Sequence, residues 1–201
     1  MDYGVLALLG VIVLWQLNRR QQRRRIVLLG RQLANHRIEQ LMEALTQGYL
    51  RALGEREEQR REQVWNYLAT QEEQLSTQMA ALAVDMATED AQATRVSTLA
   101  IGLPWATQWL PQATFDLRDA LAIHARGIAE VAGNAAQRSP RDKAFMLSAE
   151  LFLLQHTCHW YCRSRSVASA RLQVRHQITY AQALASVSAS TRDGLRALRG
   201  G

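Results

Sequence analysis

The chain has 201 residues, 24 basic and 18 acidic side chains, and 48% hydrophobic content. That apolar fraction excludes a disordered polymer and suffices for one compact domain with an extension. The excess of +6 rests on arginine, with Lys143 the single lysine, and it bears on partners rather than on fold.

Charge is unevenly placed: residues 1–50 carry +4, 51–115 carry −4 and 116–201 carry +6. An acidic middle between basic ends implies that the ends dock on it, or that each meets an anion of its own. Cys158 and Cys162 stand one helical turn apart, with no pattern of a cleavable leader, so reduced thiols are expected rather than a disulfide framework.

The run from Tyr3 to Leu17, YGVLALLGVIVLWQL, has no charge and a single amide. NRRQQRRR follows at once. Residues 1–18 therefore predict a single-pass transmembrane anchor, and 19–25 a polybasic juxtamembrane segment. Fifteen helical residues rise about 22 Å against a hydrocarbon core of about 30 Å. The span thus needs Trp15 and snorkelling Arg19 and Arg20 to extend it, or a thinned bilayer. Arg19, Arg20, Arg23, Arg24 and Arg25 on the C-terminal side predict an N-out chain with its bulk in the cytoplasm, as at a bacterial inner membrane. The same arginines suit anionic headgroups. The competing reading is a buried core helix, which seldom opens a domain with an all-round apolar run beside a polybasic edge.

Residues 26–98 lack proline and repeat apolar positions at helical spacing: Leu29, Leu33, Ile38, Leu41, Leu45 and Tyr49. Beyond EREEQRREQ the stripe resumes as Leu68, Leu75, Met79, Leu82, Met86, Ala93 and Val96, close to a seven-residue repeat that suits a partner helix. A long helix of coiled-coil character is expected, kinked near Gly48 to Gly54; the alternative is two helices folded back there. Its partner would be another protein or a second copy of the chain.

Residues 99–111 form a Pro/Trp connector within a stretch from 96 to 115 that holds no charge. Pro104 and Pro111 exclude a regular spanning helix. Trp105 and Trp109 either cap the bundle core or skim the headgroup region, and the first is the expected role.

Residues 112–201 predict a three- or four-helix bundle, in an all-α fold without strand-like alternation. One helix carries Leu117, Leu121, His124, Ile128 and Val131 and stops at Gly133-Asn134. The next starts at Ser139-Pro140-Arg141-Asp142, with N-cap, N1 proline and a first-turn acid. The last, about 167 to 198, is rich in Ala and Ser and ends in Arg-Gly-Gly.

Candidate chemistry is sparse. His156, Cys158, His159 and Cys162 have spacings of three and four, and His124 of the preceding helix stands to face them. His124, His156, His159 and Cys162 thus make a candidate haem or transition-metal site of a redox accessory protein; satisfied core histidines are the commoner outcome, and no cofactor is the leading expectation. Glu150, inside AFMLSAELFLL, reads as a buried acid paired with an arginine of another helix, or as a tuned proton carrier. No GxSxG, HExxH or Gly-rich phosphate loop is present, so no enzyme is expected. Arg163, Arg165, Arg171 and Arg175 lie in an acid-free stretch and form a basic face for docking, then for lipid, and only third for nucleic acid. The leading expectation is a membrane-anchored helical scaffold or assembly factor that tethers a partner at the cytoplasmic face.

Overall fold

The computed structural model describes residues 3–198 and is all-helical apart from one two-stranded ribbon. Met1 and Asp2 at the expected N-out end, and the final Arg199-Gly200-Gly201, lie outside the described residues.

Helix α1 (Tyr3–Leu33) runs through both the apolar segment and the arginine cluster without a break. A turn at residues 34–37 separates α1 from α2 (Ile38–Gly54), and a reversal at residues 55–57 leads into α3 (Glu58–Ala87), which packs back along α2. In that second turn the Glu55 carboxylate accepts from the amides of Arg56 and Glu57 at 2.9 and 3.1 Å, which fixes the extended backbone that ends α2.

The long helix expected over 26–98 is therefore broken into the end of α1, then α2 and α3, followed by shorter elements. The apolar stripe cannot distinguish a foreign partner from a folded-back one, and here the partner is internal. Leu68, Leu75, Met79, Leu82 and Met86 are all buried in the chain's own core, against α2 and the later helix α6.

A single turn, α4 (Ala91–Thr94), is capped by Asp90, whose carboxylate accepts from the Ala93 amide at 2.8 Å. Strand β1 (Arg95–Ser97) follows, then a loop containing α5 (Ala106–Trp109), then β2 (Thr114–Asp116). The strands pair antiparallel, Arg95 with Asp116, Val96 with Phe115 and Ser97 with Thr114. Three-residue strands leave too short an alternation for sequence reading.

Helix α6 (Leu117–Gly133) stops at Asn134 in the left-handed conformation, as the Gly-Asn pair predicts. Helix α7 (Pro140–Cys162) starts as expected, with Ser139 accepting from the Asp142 amide at 3.1 Å and Pro140 in the first turn. The single last helix expected over 167–198 is instead α8 (Arg165–His176), α9 (Tyr180–Ser186) and α10 (Ala189–Leu198). Gln177, left-handed at φ 56°, ends α8, and a Thr179–Gln182 capping box starts α9.

The main core lies between α2, α3, α6 and α7; a smaller cluster of Ile123, Leu153, Leu172, Leu184, Val187 and Leu195 seats α8 to α10 on α6 and α7. Arg31 of the basic N-terminal part pairs with Glu89 at 2.6 Å, and Lys143 of the C-terminal part with Glu72 at 2.6 Å. Opposite charges of the middle and ends thus meet inside one molecule.

Among the described residues, no helix is long and apolar enough to cross a membrane. The structure gives no support to the transmembrane span, and the physical reason is length: the apolar run stops at Leu17 and polar Asn18 and Arg19 follow in the same helix.

Candidate functional site

From Tyr3 to Trp15 every residue of α1 is exposed, large apolar side chains ranging from 42% at Ile12 to 89% at Tyr3. A helix apolar all round is normally buried; this one projects from the bundle as an arm, because the first buried residue of α1 is Leu29.

At the base of the arm Arg19 lies over the Trp15 ring at 5.3 Å, and Arg19, Arg20, Arg23 and Arg24 are exposed. Arg25 departs from its expected place in the anchor cluster. It turns into the bundle, donating to the carbonyls of Arg95 at 2.9 Å and Tyr161 at 3.2 Å, with its guanidinium 5.3 Å from the Tyr161 ring. It shares a face with Leu29 and Gln32, four and seven residues on, which are buried. The carbonyls at the end of α7 suit a cation, since the helix dipole is negative there.

The Pro/Trp loop rests beside this base. Its ends are pinned: Thr98 donates its amide to the Ala113 carbonyl at 2.9 Å, and Trp160 Nε1 donates to the Ser97 carbonyl at 2.9 Å. Gly102 passes so close to its neighbours that a Cβ there would meet the Arg163 carbonyl at 2.9 Å and the Asn18 and Gln22 side chains at 3.6 Å. The Trp105 amide donates to Gln21 Oε1 at 3.3 Å. Trp105 is 38% exposed and Trp109 67%, their rings 5.9 Å apart, so the expected role of capping the core is overturned. Pro104, Ala106 and Thr107, not the tryptophans, are the buried residues of the turn.

The basic face divides. Arg163 donates to Gln22 Oε1 at 2.6 Å, and Arg165 lies 6.0 Å from the Trp160 ring, both beside the loop and the arm. Arg171 and Arg175 instead line a cleft of about 430 Å³ with Phe152, His156, His159 and His176.

The His/Cys cluster does not converge. His124 is fully buried and its Nε2 is 2.9 Å from Thr157 Oγ1; burial, and then neighbouring His156, hold its pKa down to about 3. His156 Nε2 meets Ser169 Oγ at 3.1 Å. His159 borders the cleft, lowered by burial and then by Arg171 and Arg175. Cys162 lies on the Arg25 side, and burial raises its thiol to about 11 and that of Cys158 to about 12. Among the described residues no group of three or more His, Cys, Asp or Glu side chains is placed to hold a metal ion. Helical spacing brings His156, His159 and Cys162 near one another along α7, with His124 across from them on α6, but packing points them at different neighbours.

Glu150 is also buried, but its partners are not arginines. Ser188 donates through both its amide and its hydroxyl to Oε1, at 3.0 and 2.7 Å, and Thr191 donates to Oε2 at 2.8 Å. Burial raises its pKa, against the lowering effect of those hydrogen bonds. Gly127 of α6 faces this group so closely that a Cβ would stand 1.7 Å from Thr191 Oγ1. The acid thus joins α7 to the start of α10.

No family model matches the chain, and no characterised protein or solved structure is similar to it.

Proposed function

We propose that the chain is a membrane-anchored helical scaffold: the arm of α1 inserts into a bilayer, and the bundle is held at the lipid surface beside the arginines. The observation that carries this reading is the arm itself, exposed and apolar on every side up to Trp15 and met at once by Arg19, Arg20, Arg23 and Arg24. A protein groove covers one face of a helix, whereas lipid covers all of them. The arm reaches about 22 Å from Tyr3 to Leu17, short of the usual hydrocarbon thickness, so insertion draws the bilayer thinner or lets Arg19 and Arg20 snorkel.

In this reading the bundle lies on the cytoplasmic side, which the positive-inside rule supports through the arginines after the arm. The mechanism is tethering, which raises the effective concentration of whatever the bundle's outer faces bind. The seven-residue stripe of α3 is occupied within the chain, so it does not supply the partner surface.

Flotation of the full chain with vesicles of phosphatidylcholine and phosphatidylglycerol tests this. Parent protein is expected to float with the vesicles, and Leu9→Lys plus Val13→Lys to stay in solution with unchanged helix content, because both side chains are solvent-exposed in the fold. Equal flotation of the two, or none by the parent, refutes the anchor.

A further inference from the structure

We infer that the loop from Ile101 to Leu110 is a second lipid contact, a shallow foot that seats the bundle against the same bilayer the arm enters. This deepens the anchor reading and rests on it. The first ground is composition with exposure: Ile101, Leu103, Trp105, Trp109 and Leu110 are all substantially exposed, in a 96–115 stretch without a single charge. Five large apolar side chains turned to solvent within ten residues form a patch that a free surface does not favour.

Position is the second ground. The loop lies against α1 at Asn18, Gln21 and Gln22, with Arg25 the next residue along the same face. Gln21 lies six residues past Trp15, about 9 Å along the axis, which is roughly the depth of the headgroup layer. A loop at that level meets the interface whenever the arm is inserted. Trp is the residue favoured at that depth, having an apolar ring and a polar N–H.

Charge is the third. Arg19, Arg20, Arg23 and Arg24 are exposed on the same turns of α1 that carry the loop's contact residues, and Arg163 and Arg165 stand at the α7–α8 junction beside the loop. Ser166 donates its amide to the Ala100 carbonyl at 3.0 Å, which holds that junction against the loop. An uncharged apolar loop with cations on the neighbouring helix and helix junction complements an anionic lipid surface rather than an apolar protein groove. Trp105 adds a fourth observation: it sits at φ 60°, a left-handed conformation that a bulky side chain rarely adopts. The turn keeps it there although a core position for its ring is not gained.

Tryptophan quenching in the full chain tests the foot. A Trp15→Phe background leaves Trp105 and Trp109 as the most exposed indoles, with Trp160 buried and Trp65 half-buried. In vesicles of phosphatidylglycerol and a phosphatidylcholine brominated high on its acyl chains, this protein is expected to show a blue-shifted emission and strong quenching. Adding Trp105→Phe and Trp109→Phe is expected to remove most of that quenching while flotation persists. Both substitutions are at exposed positions, and helix content measured alongside shows that the fold is kept.

Flotation with no difference in quenching between the two proteins overturns the foot and leaves the anchor standing. Failure of the parent to float removes both. Quenching that disappears when the bromines are moved to the chain ends supports a shallow seat; quenching equal at both depths overturns it.

Discussion

Lys143 Nζ lies 2.6 Å from Glu72 Oε2, and both side chains are nearly buried. Tyr49 donates to the other carboxylate oxygen at 2.6 Å, so one acid ties α2, α3 and α7 together. Removing one member of a buried pair leaves an uncompensated charge, a loss of about 3–5 kcal/mol. Lys143→Met is expected to lower the unfolding free energy by about 3 kcal/mol. Lys143→Met with Glu72→Gln, which keeps an acceptor for Tyr49, recovers much of it. Urea melts of the parent, both single variants and the double variant measure the coupling; a single variant as stable as the parent would rule it out.

His124 gives stability a pH dependence of known sign. Its folded pKa, about 3, is far below the ordinary 6.5, so the unfolded chain takes the proton first. Its contribution is complete above about pH 6.5 and is lost as pH falls from there toward 3. Between pH 7 and pH 5 that loss is about 2 kcal/mol from this residue. His159 and His176 are lowered too and add slope of the same sign. Paired melts at the two pH values are expected to show a shallower fall for His124→Gln, and identical falls would reject the assignment.

Glu150 acts in the opposite sense. Its folded pKa is raised, so its contribution is complete below about pH 4.5 and is lost as pH rises through the shifted value. Glu150→Gln keeps a neutral group for Ser188 and Thr191 and is expected to be at least as stable as the parent at pH 7. A marked loss at pH 7 would show that the charge itself is needed.

Gly127→Ala puts a Cβ onto Thr191 Oγ1, 1.7 Å away, and is expected to cost about 3 kcal/mol by overpacking. Hydrogen exchange would locate the damage: faster exchange confined to α9 and α10 is expected, and unchanged protection there contradicts it.

The arginines at the arm's base should separate by role. Arg25→Gln is expected to cost about 2 kcal/mol of stability, from hydrogen bonds of a charged donor, and to leave vesicle flotation intact. Arg19→Gln with Arg20→Gln is expected to leave stability alone and weaken binding to anionic vesicles by roughly thirtyfold at low salt. Reversal of those two outcomes would reverse the assignment.

Which of these features the sequence discloses follows from how local their causes are. The Ser139-Pro140 start and the Asn134 stop are settled by a few adjacent residues, and both stand as read. The stripe from Leu68 to Met86 specifies a buried face but not what buries it, so a folded hairpin and a coiled coil look alike. Gln177 breaks the last helix without a glycine, and Ser188 begins α10 through a contact with Glu150, 38 residues away. By position alone, Arg25 is indistinguishable from its four neighbours. Helical phase, shared with Leu29 and Gln32, sets it apart. Spacing along α7 relates His156 to His159 but carries no information on the neighbours that α6, α8 and α9 supply.

Because α1 passes from Trp15 to Leu29 as one uninterrupted helix, it is a shaft and not a tether. Fourteen residues of rise set Leu29, the first buried residue of the helix, about 21 Å along the axis from Trp15, and Arg25 and Arg31 clamp that shaft to the ribbon and to Glu89 just past α3. A flexible linker would let the bundle wander through a hemisphere over the lipid. A splined shaft leaves it altitude fixed and only azimuth free, so any ligand of the bundle would be presented at a constant height and tilt, and a foot beside the shaft would stop even the rocking.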